Sequence, residues 1–225
     1  MTEAEWLTAT NPEPMLNYLR GKASSRRLRL LAVACCRRVW HVLTGPACRQ
    51  AVDMAEKSVD EPVPEELLDQ LSGAAEEEFE DAITDTDDTE MEDNPGVTYR
   101  RYAAACAAAS CASNTPEVRD EDIRVVVNAT SDAADTTEQT HQAELLRDVF
   151  GNPFRSTALD SLWLTSDVVT LAIGIYDERA FDRMPILADA LQDAGCNNDD
   201  ILDHCRGSGQ HVRGCWVIDL LLGKT

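Results

Sequence analysis

Apolar residues recur at every third or fourth position along most of the chain, which is the spacing of an α-helix that buries one face. Between residues 25 and 43, for example, Leu28, Leu31 and Cys35 fall on one such stripe, and the arginines lie mostly off it. The alternating pattern that is typical of strands is nearly absent. The sequence therefore predicts an all-α protein, an irregular globular bundle of roughly ten helices with an acidic loop in the middle.

Capping residues, glycines and prolines place the ends of the helices. Thr2 and Glu5 form a capping box that starts a first helix, and this helix is expected to bury Trp6 and Leu7. Residues 154–164 are predicted to be irregular but packed. Further helices are predicted over 25–43, 47–58, 65–83, 99–113, 141–150, 183–194 and 212–222, and others begin near Pro12, Thr115, Thr165 and Asn198.

Charge divides the chain into regions. The formal net charge is -21, and residues 60–93 hold 16 acidic residues with no Lys or Arg, whereas residues 1–57 carry 9 basic and 5 acidic residues. We expect one helical domain over 1–225, with basic N-terminal helices (1–58), an acidic insert (59–97), Ala-rich middle helices (98–150) and a C-terminal helical block (151–225). A chain this acidic repels phosphate backbones, so a protein is expected as its partner and nucleic acid is not.

The N-terminus has neither a basic nor an apolar segment of the kind that signal peptides carry, and no apolar run is long enough to span a membrane. The 8 cysteines lie mostly inside helical patterns, as buried free thiols do. We therefore expect a cytoplasmic protein with reduced thiols, although an even number of cysteines also permits disulfides.

Several segments resemble a group of uncharacterised proteins that is common in planctomycete bacteria. They are the opening M-T-E-A-E-W-L with the following R-L-R-L-L-A-V-A-C-C-R-R-V-W, then L-L-R-D-V-F-G-N-P-F-R, I-Y-D-E-R-A-F-D-R-M-P-I-L-A-D-A-L and H-V-R-G-C-W-V-I-D-L-L-L-G. The resemblance covers both ends of the chain, and residues 59–140 form its variable part. The group has no established activity, so the resemblance implies no catalytic residues and no cofactor.

One group of residues near the C-terminus could bind a metal. Thiolates and imidazoles are the usual zinc ligands, and the candidates are Cys196, His204, Cys205, His211 and Cys215. Their spacing lacks the paired cysteines of common zinc motifs. His204 and Cys205 are neighbours on a predicted helix and point about 100° apart, so they do not easily share one ion. The competing interpretation is that the cysteines are buried and the histidines form local hydrogen bonds.

Three functions follow as hypotheses. The first is a non-catalytic interaction or scaffold module without a cofactor, because the sequence shows no catalytic constellation. The second is a zinc-binding protein that uses the C-terminal cysteines and histidines. The third is an enzyme, in which Cys205 or Cys215 would act as a nucleophile with His211 as its base.

Overall fold

The structure is a computed structural model that describes residues 1–43, 45–84, 120–134 and 137–224. These residues form helices and no strand, which confirms the all-α fold. Two short 3-10 helices cover Ser161–Trp163 and Phe181–Arg183. The α-helices are α1 (Glu3–Thr8), α2 (Pro12–Leu19), α3 (Ser25–Arg38), α4 (Pro46–Lys57), α5 (Glu65–Thr84), α6 (Asp120–Ala133), α7 (Glu138–Phe150), α8 (Ser166–Glu178), α9 (Met184–Asp193), α10 (Asp199–Arg206) and α11 (Trp216–Leu222).

The chain divides into two compact units. Unit 1 consists of Met1 and Ala9–Ala143, and unit 2 consists of Thr2–Thr8 and Glu144–Thr225. The single domain over 1–225 stays a prediction. The predicted helix over 99–113 and the acidic loop from residue 85 onward lie outside the described residues.

Unit 1 is built around α3, which packs against α4 and α6. Its predicted stripe is buried, since Leu28, Leu31 and Cys35 are at most 3% exposed. The helix ends at Arg38 and not at residue 43 as predicted. The carbonyl groups released beyond its end accept hydrogen bonds from the Arg49 guanidinium, at 3.2 Å for Trp40 and 2.6 Å for Leu43. The Arg49 side chain therefore holds the turn that follows α3.

Unit 2 has its core where α8, α9, α10 and α11 meet. α8 packs against α9 and α11, and α10 packs against the same two helices. The core holds mainly aliphatic side chains together with three cysteines, Cys196, Cys205 and Cys215. α11 begins at Trp216, four residues later than predicted, because Gly214 adopts a positive φ of 99° that a continuing helix does not allow. Residues 211–215 therefore form a loop, and this loop shapes the site described below.

α1 belongs to unit 2 and is held there by polar contacts. The predicted capping box is present, with the Thr2 N–H donating to Glu5 at 2.7 Å. Trp6 is fully buried, and its indole N–H donates to the Gly151 carbonyl at 2.9 Å. The prediction that Leu7 is buried is wrong, because Leu7 is 50% exposed. Neighbouring residues on a helix point about 100° apart, so one short helix buries only one of the two.

The described cysteines, which exclude Cys106 and Cys111, are all buried free thiols. This agrees with the expected reduced state. None of the helices in the described parts of the chain combines the length and the apolar character needed to cross a membrane.

The Trp6 contacts predict the stability of unit 2. We expect Trp6→Phe to lower the free energy of unfolding by about 2 kcal/mol, because it leaves the Gly151 carbonyl without its donor and opens a small cavity. Urea unfolding followed by circular dichroism measures the loss. The control Leu7→Ala lies next to it on an exposed face and should change stability by less than about 0.5 kcal/mol. Equal losses in the two variants would contradict this assignment of Trp6.

Candidate metal centre

Four side chains of unit 2 converge on one point. They belong to Asp148, His204, His211 and Cys215, and one potential ligand atom from each lies within 4.8 Å of all the others. Asp148 comes from the last turn of α7, His204 from α10, His211 from the loop before α11, and Cys215 is the N-cap of α11. Three separate segments of unit 2 thus meet at their polar side chains.

Asp148 lies at the centre of this group. Its carboxylate is 4% exposed, and Oδ1 lies 2.7 Å from His211 Nδ1 and 3.2 Å from His204 Nε2. The other oxygen, Oδ2, accepts a hydrogen bond of 2.9 Å from the Val212 N–H. Burial alone would raise the pKa of Asp148, but the hydrogen bonds and charges of the two histidines outweigh burial and place this pKa below its ordinary value. Asp148 is therefore a carboxylate, and each of its oxygens has a partner.

The amphipathic pattern of α10 orients His204. Asn198 caps the helix by accepting the Ile201 N–H at 3.2 Å, and the buried face carries Ile201, Leu202 and Cys205. One residue before Cys205, His204 points about 100° away from that face. Its side chain is 18% exposed, and its ring lies 5.2 Å from the Trp216 ring. Packing of α10 therefore sends Cys205 into the core and His204 to the polar group.

His211 is held by the loop between α10 and α11. Its side chain is 8% exposed, and its ring stands edge-on to the His204 ring at a centroid distance of 4.8 Å. Nδ1 faces Asp148, whereas the buried Nε2 has no hydrogen-bond partner in the described part of the chain. An unsatisfied buried polar atom costs about 1–3 kcal/mol. The contacts of Nδ1 must therefore stabilise the ring enough to offset the cost of the unpaired Nε2.

Cys215 closes the group from the core side. Its thiol is fully buried, and Sγ lies 3.1 Å from His204 Nε2 and 3.9 Å from His211 Nδ1. Burial raises the pKa of Cys215 well above its ordinary value, and the nearby Asp148 carboxylate acts in the same direction. The N–H groups at the start of α11 act in the opposite direction. Without a cation, Cys215 is a neutral thiol.

Four of the six distances among these atoms can be compared with the spacing in a tetrahedral zinc site. Zinc bonds of 2.0–2.3 Å in tetrahedral geometry set ligand atoms about 3.3–3.8 Å apart. The contacts between the four atoms measure 2.7, 3.1, 3.2 and 3.9 Å. For an ion to fit, the Asp148–His211 distance must widen by about 0.6 Å and the distance from Cys215 Sγ to His204 Nε2 by about 0.4 Å. The donor set of one thiolate, two imidazoles and one carboxylate is chemically suited to zinc.

Of the five predicted ligands, the structure brings three together and leaves two apart. His204, His211 and Cys215 converge, whereas Cys196 and Cys205 are not in the group and lie in the hydrophobic core of unit 2. Burial, followed by the charge of the nearby Cys196, raises the pKa of Cys205 to about 12. A thiol in this environment stays protonated and behaves as a small apolar side chain.

Asp148 is the member of the four-residue group that the sequence analysis does not identify. It lies in α7, far from the other three in the chain, and on a helix surface an Asp flanked by Arg147 looks like any solvated charge. A weak signal is present, because Asp148 follows the buried Leu145 by three positions and so lies near the buried face of α7. A charge near a buried helical face requires a partner elsewhere in the fold.

The same geometry bears on the hypothesis of a cysteine nucleophile. A catalytic triad uses both ring nitrogens, one toward the nucleophile and the other toward the carboxylate that orients the ring. In His211, the base of that hypothesis, Asp148 at 2.7 Å and Cys215 at 3.9 Å both face one nitrogen, Nδ1. The same two residues also face a single nitrogen of His204, Nε2. The proton of the thiol thus has no relay through the ring, and the arrangement favours one shared ion.

None of the known protein families, curated proteins and solved structures that were compared with the chain matches it. This is consistent with its resemblance to a group without an established activity.

Burial predicts slow thiol chemistry. In a chain carrying Cys106→Ser and Cys111→Ser, which removes the cysteines outside the described residues, we expect none of the remaining thiols to react with Ellman's reagent while the protein is folded. The same thiols should all react in urea, because only unfolding exposes them. Absorbance of the released thiolate measures the reaction. A single thiol that reacts as fast in the folded as in the unfolded protein would instead indicate an activated nucleophile.

Proposed function

We propose that this protein binds one zinc ion through Asp148, His204, His211 and Cys215. The observation that carries the proposal is the convergence of one ligand atom from each residue within 4.8 Å. A hydrogen-bond network alone requires no such focus, because donors and acceptors pair equally well along a chain of contacts. An ion with tetrahedral coordination requires that all four ligand atoms face a common centre.

Charge supports the same proposal. Asp148 and Cys215 are both fully buried side chains, and each would carry one negative charge as a ligand. Two negative charges balance Zn²⁺, so the complete site is neutral. Burying a neutral, fully coordinated ion avoids the large cost of burying isolated charges. The ion would also replace the thiol proton of Cys215, which burial otherwise retains.

In this proposal the ion joins α7, α10 and the loop before α11, which the hydrogen bonds of Asp148 already hold together. Binding to the folded state and not to the unfolded chain adds directly to stability. An interaction or scaffold role, which the sequence favours, stays a prediction and is compatible with such a site. A metal that stiffens unit 2 would hold a docking surface in one conformation.

Ligand variants separate this site from nonspecific binding to the many acidic side chains. We expect the protein to bind cobalt(II), a spectroscopic substitute for zinc, with a thiolate-to-cobalt charge-transfer band that vanishes in Cys215→Ser. His204→Ala, His211→Ala and Asp148→Ala should each weaken binding by more than about 100-fold, the upper range for second-shell changes. Titration in the ultraviolet and visible range, with zinc displacing cobalt, measures these affinities.

Cys196→Ala and Cys205→Ala are the matched controls, because both remove a buried thiol of unit 2 that lies outside the four-residue group. They should keep the charge-transfer band and the affinity within about threefold, since neither supplies a ligand atom. If the band were lost in Cys205→Ala and retained in Cys215→Ser, the assignment of Cys215 as the thiolate ligand would be wrong.

Zinc should stabilise the folded protein. At a free zinc concentration about 1,000 times Kd, we expect the free energy of unfolding to rise by about 4 kcal/mol, and a chelator should reverse the change. Urea unfolding in zinc-buffered solutions measures the increase. The same increase in Cys215→Ser would show that zinc acts elsewhere on the chain.

A further inference from the structure

A cavity of about 370 Å³ opens beside the four-residue group. Asp148, His204 and His211 line this cavity, whereas Cys215 is not among the lining residues and is fully buried in the core of unit 2. An ion held by the four residues would thus have its thiolate ligand on the side of the core and its three other ligands at the wall of the cavity. A cavity of this volume admits a small molecule.

The outer wall of the cavity is a short exposed segment. Residues 207–210 line the cavity, and all four are exposed. They follow α10, which carries His204, and they lead directly to His211. Structural zinc sites are closed by the protein around them, whereas sites that react with small molecules keep a coordination position open. Three ligands at a cavity with an exposed wall match the open class.

The charged side chains around the cavity favour the entry of a cation. Glu144, Asp148 and Asp203 are acidic, and Arg147 is the only Lys or Arg among the described residues that line the cavity. Arg147 donates to the Trp6 carbonyl at 3.1 Å, and the charge of Glu144 acts on it. With neutral histidines and no bound ion, the lining residues carry a net negative charge. Such a charge raises the local concentration of cations and speeds their association.

We propose that the zinc ion enters and leaves its site through this cavity, so that the protein exchanges zinc with small chelating molecules and does not hold a fixed structural ion. The inference rests on the proposed zinc site and assigns it a role in metal transfer. An incoming donor atom reaches the ion from the cavity and donates an electron pair to form a fifth bond. The protein ligands then leave with their own electron pairs, and the released Cys215 thiolate takes up a proton from the solvent.

Exchange through the cavity has a kinetic signature. When an incoming ligand attacks the bound ion, the rate of transfer rises with the concentration of that ligand. When the ion must first escape from a closed site, the protein sets a rate that the ligand cannot exceed. The probe is pyridylazoresorcinol, a chelator whose visible absorbance changes when it binds zinc. We expect zinc transfer from the loaded whole chain to accelerate in proportion to the chelator concentration.

Gly209 offers a variant that narrows the cavity. Gly209 lines the cavity, and a Cβ atom added to it meets no atom within 4 Å. Gly209→Trp should slow zinc uptake and chelator-driven release by the same factor, about tenfold or more, because an obstruction raises the barrier in both directions. The Kd for zinc should therefore stay within about threefold of the wild-type value.

Gly174→Trp is the matched control for this variant. An added Cβ atom at Gly174 also meets no atom within 4 Å, and Gly174 lies on α8, outside the lining of the cavity. It should leave the rates of uptake and release unchanged. Circular dichroism checks the fold of both variants.

The other outcomes separate the failure of this inference from the failure of the zinc site. A protein that shows the cobalt charge-transfer band but releases zinc at a rate independent of chelator concentration would keep the zinc site and overturn exchange through the cavity. Equal rates in folded Gly209→Trp and Gly174→Trp would overturn the cavity as the route. Absence of the charge-transfer band would contradict the zinc site and this inference together. The dependence on chelator concentration is measured on the wild type, so it decides the question even if Gly209→Trp does not fold.

Discussion

Unit 2 depends on how a buried carboxylate is satisfied. Asp148 accepts contacts from two imidazoles and from the Val212 N–H, so it fixes α10 and the loop before α11 against the end of α7. The same turn of α7 holds α1, since Arg147 bonds to the Trp6 carbonyl and Gly151 accepts the Trp6 indole N–H. Residues 147–151 are thus the point at which sequence-distant segments are joined, and they are joined by polar contacts and not by apolar area alone.

The polar group admits an explanation without a metal, in which Asp148 accepts hydrogen bonds from both histidines and Cys215 pairs with His204. That explanation accounts for Asp148, whose pKa lies below its ordinary value. It accounts less well for His211, whose buried Nε2 has no partner among the described residues. It also gives no reason for the thiol to approach the same nitrogen that the carboxylate uses. A shared cation explains the shared nitrogen, because one ion requires its ligand atoms to face one centre, and its bond to Nδ1 of His211 offsets the cost of the unpaired Nε2.

The sequence predicts the features that depend on contacts between residues close together in the chain. One such feature is the capping box at Thr2. The N-caps are others, because the side chain of an N-cap accepts a hydrogen bond from a backbone N–H two or three residues away, as in Asn11, Thr165 and Asn198. The end of α3 is not predicted in this way, because the turn that follows it is held by Arg49, which donates to the carbonyls of Trp40 and Leu43. Three ligands were found from residue type within one stretch of chain. Asp148 was missed because its partners become neighbours only when α7, α10 and the last loop pack together.

Cys205 and Cys215 show that packing can give two residues of the same type different roles. Both thiols are fully buried and both have a raised pKa. Cys205 lies on the apolar face of α10, where burial serves the core. Cys215 precedes α11 in a loop that a left-handed Gly214 bends back toward the carboxylate, so its sulfur faces imidazole nitrogens. Because Gly214 has a positive φ, the helix predicted from residue 212 cannot form there. Cys215 therefore precedes α11, where its sulfur is a potential ligand atom.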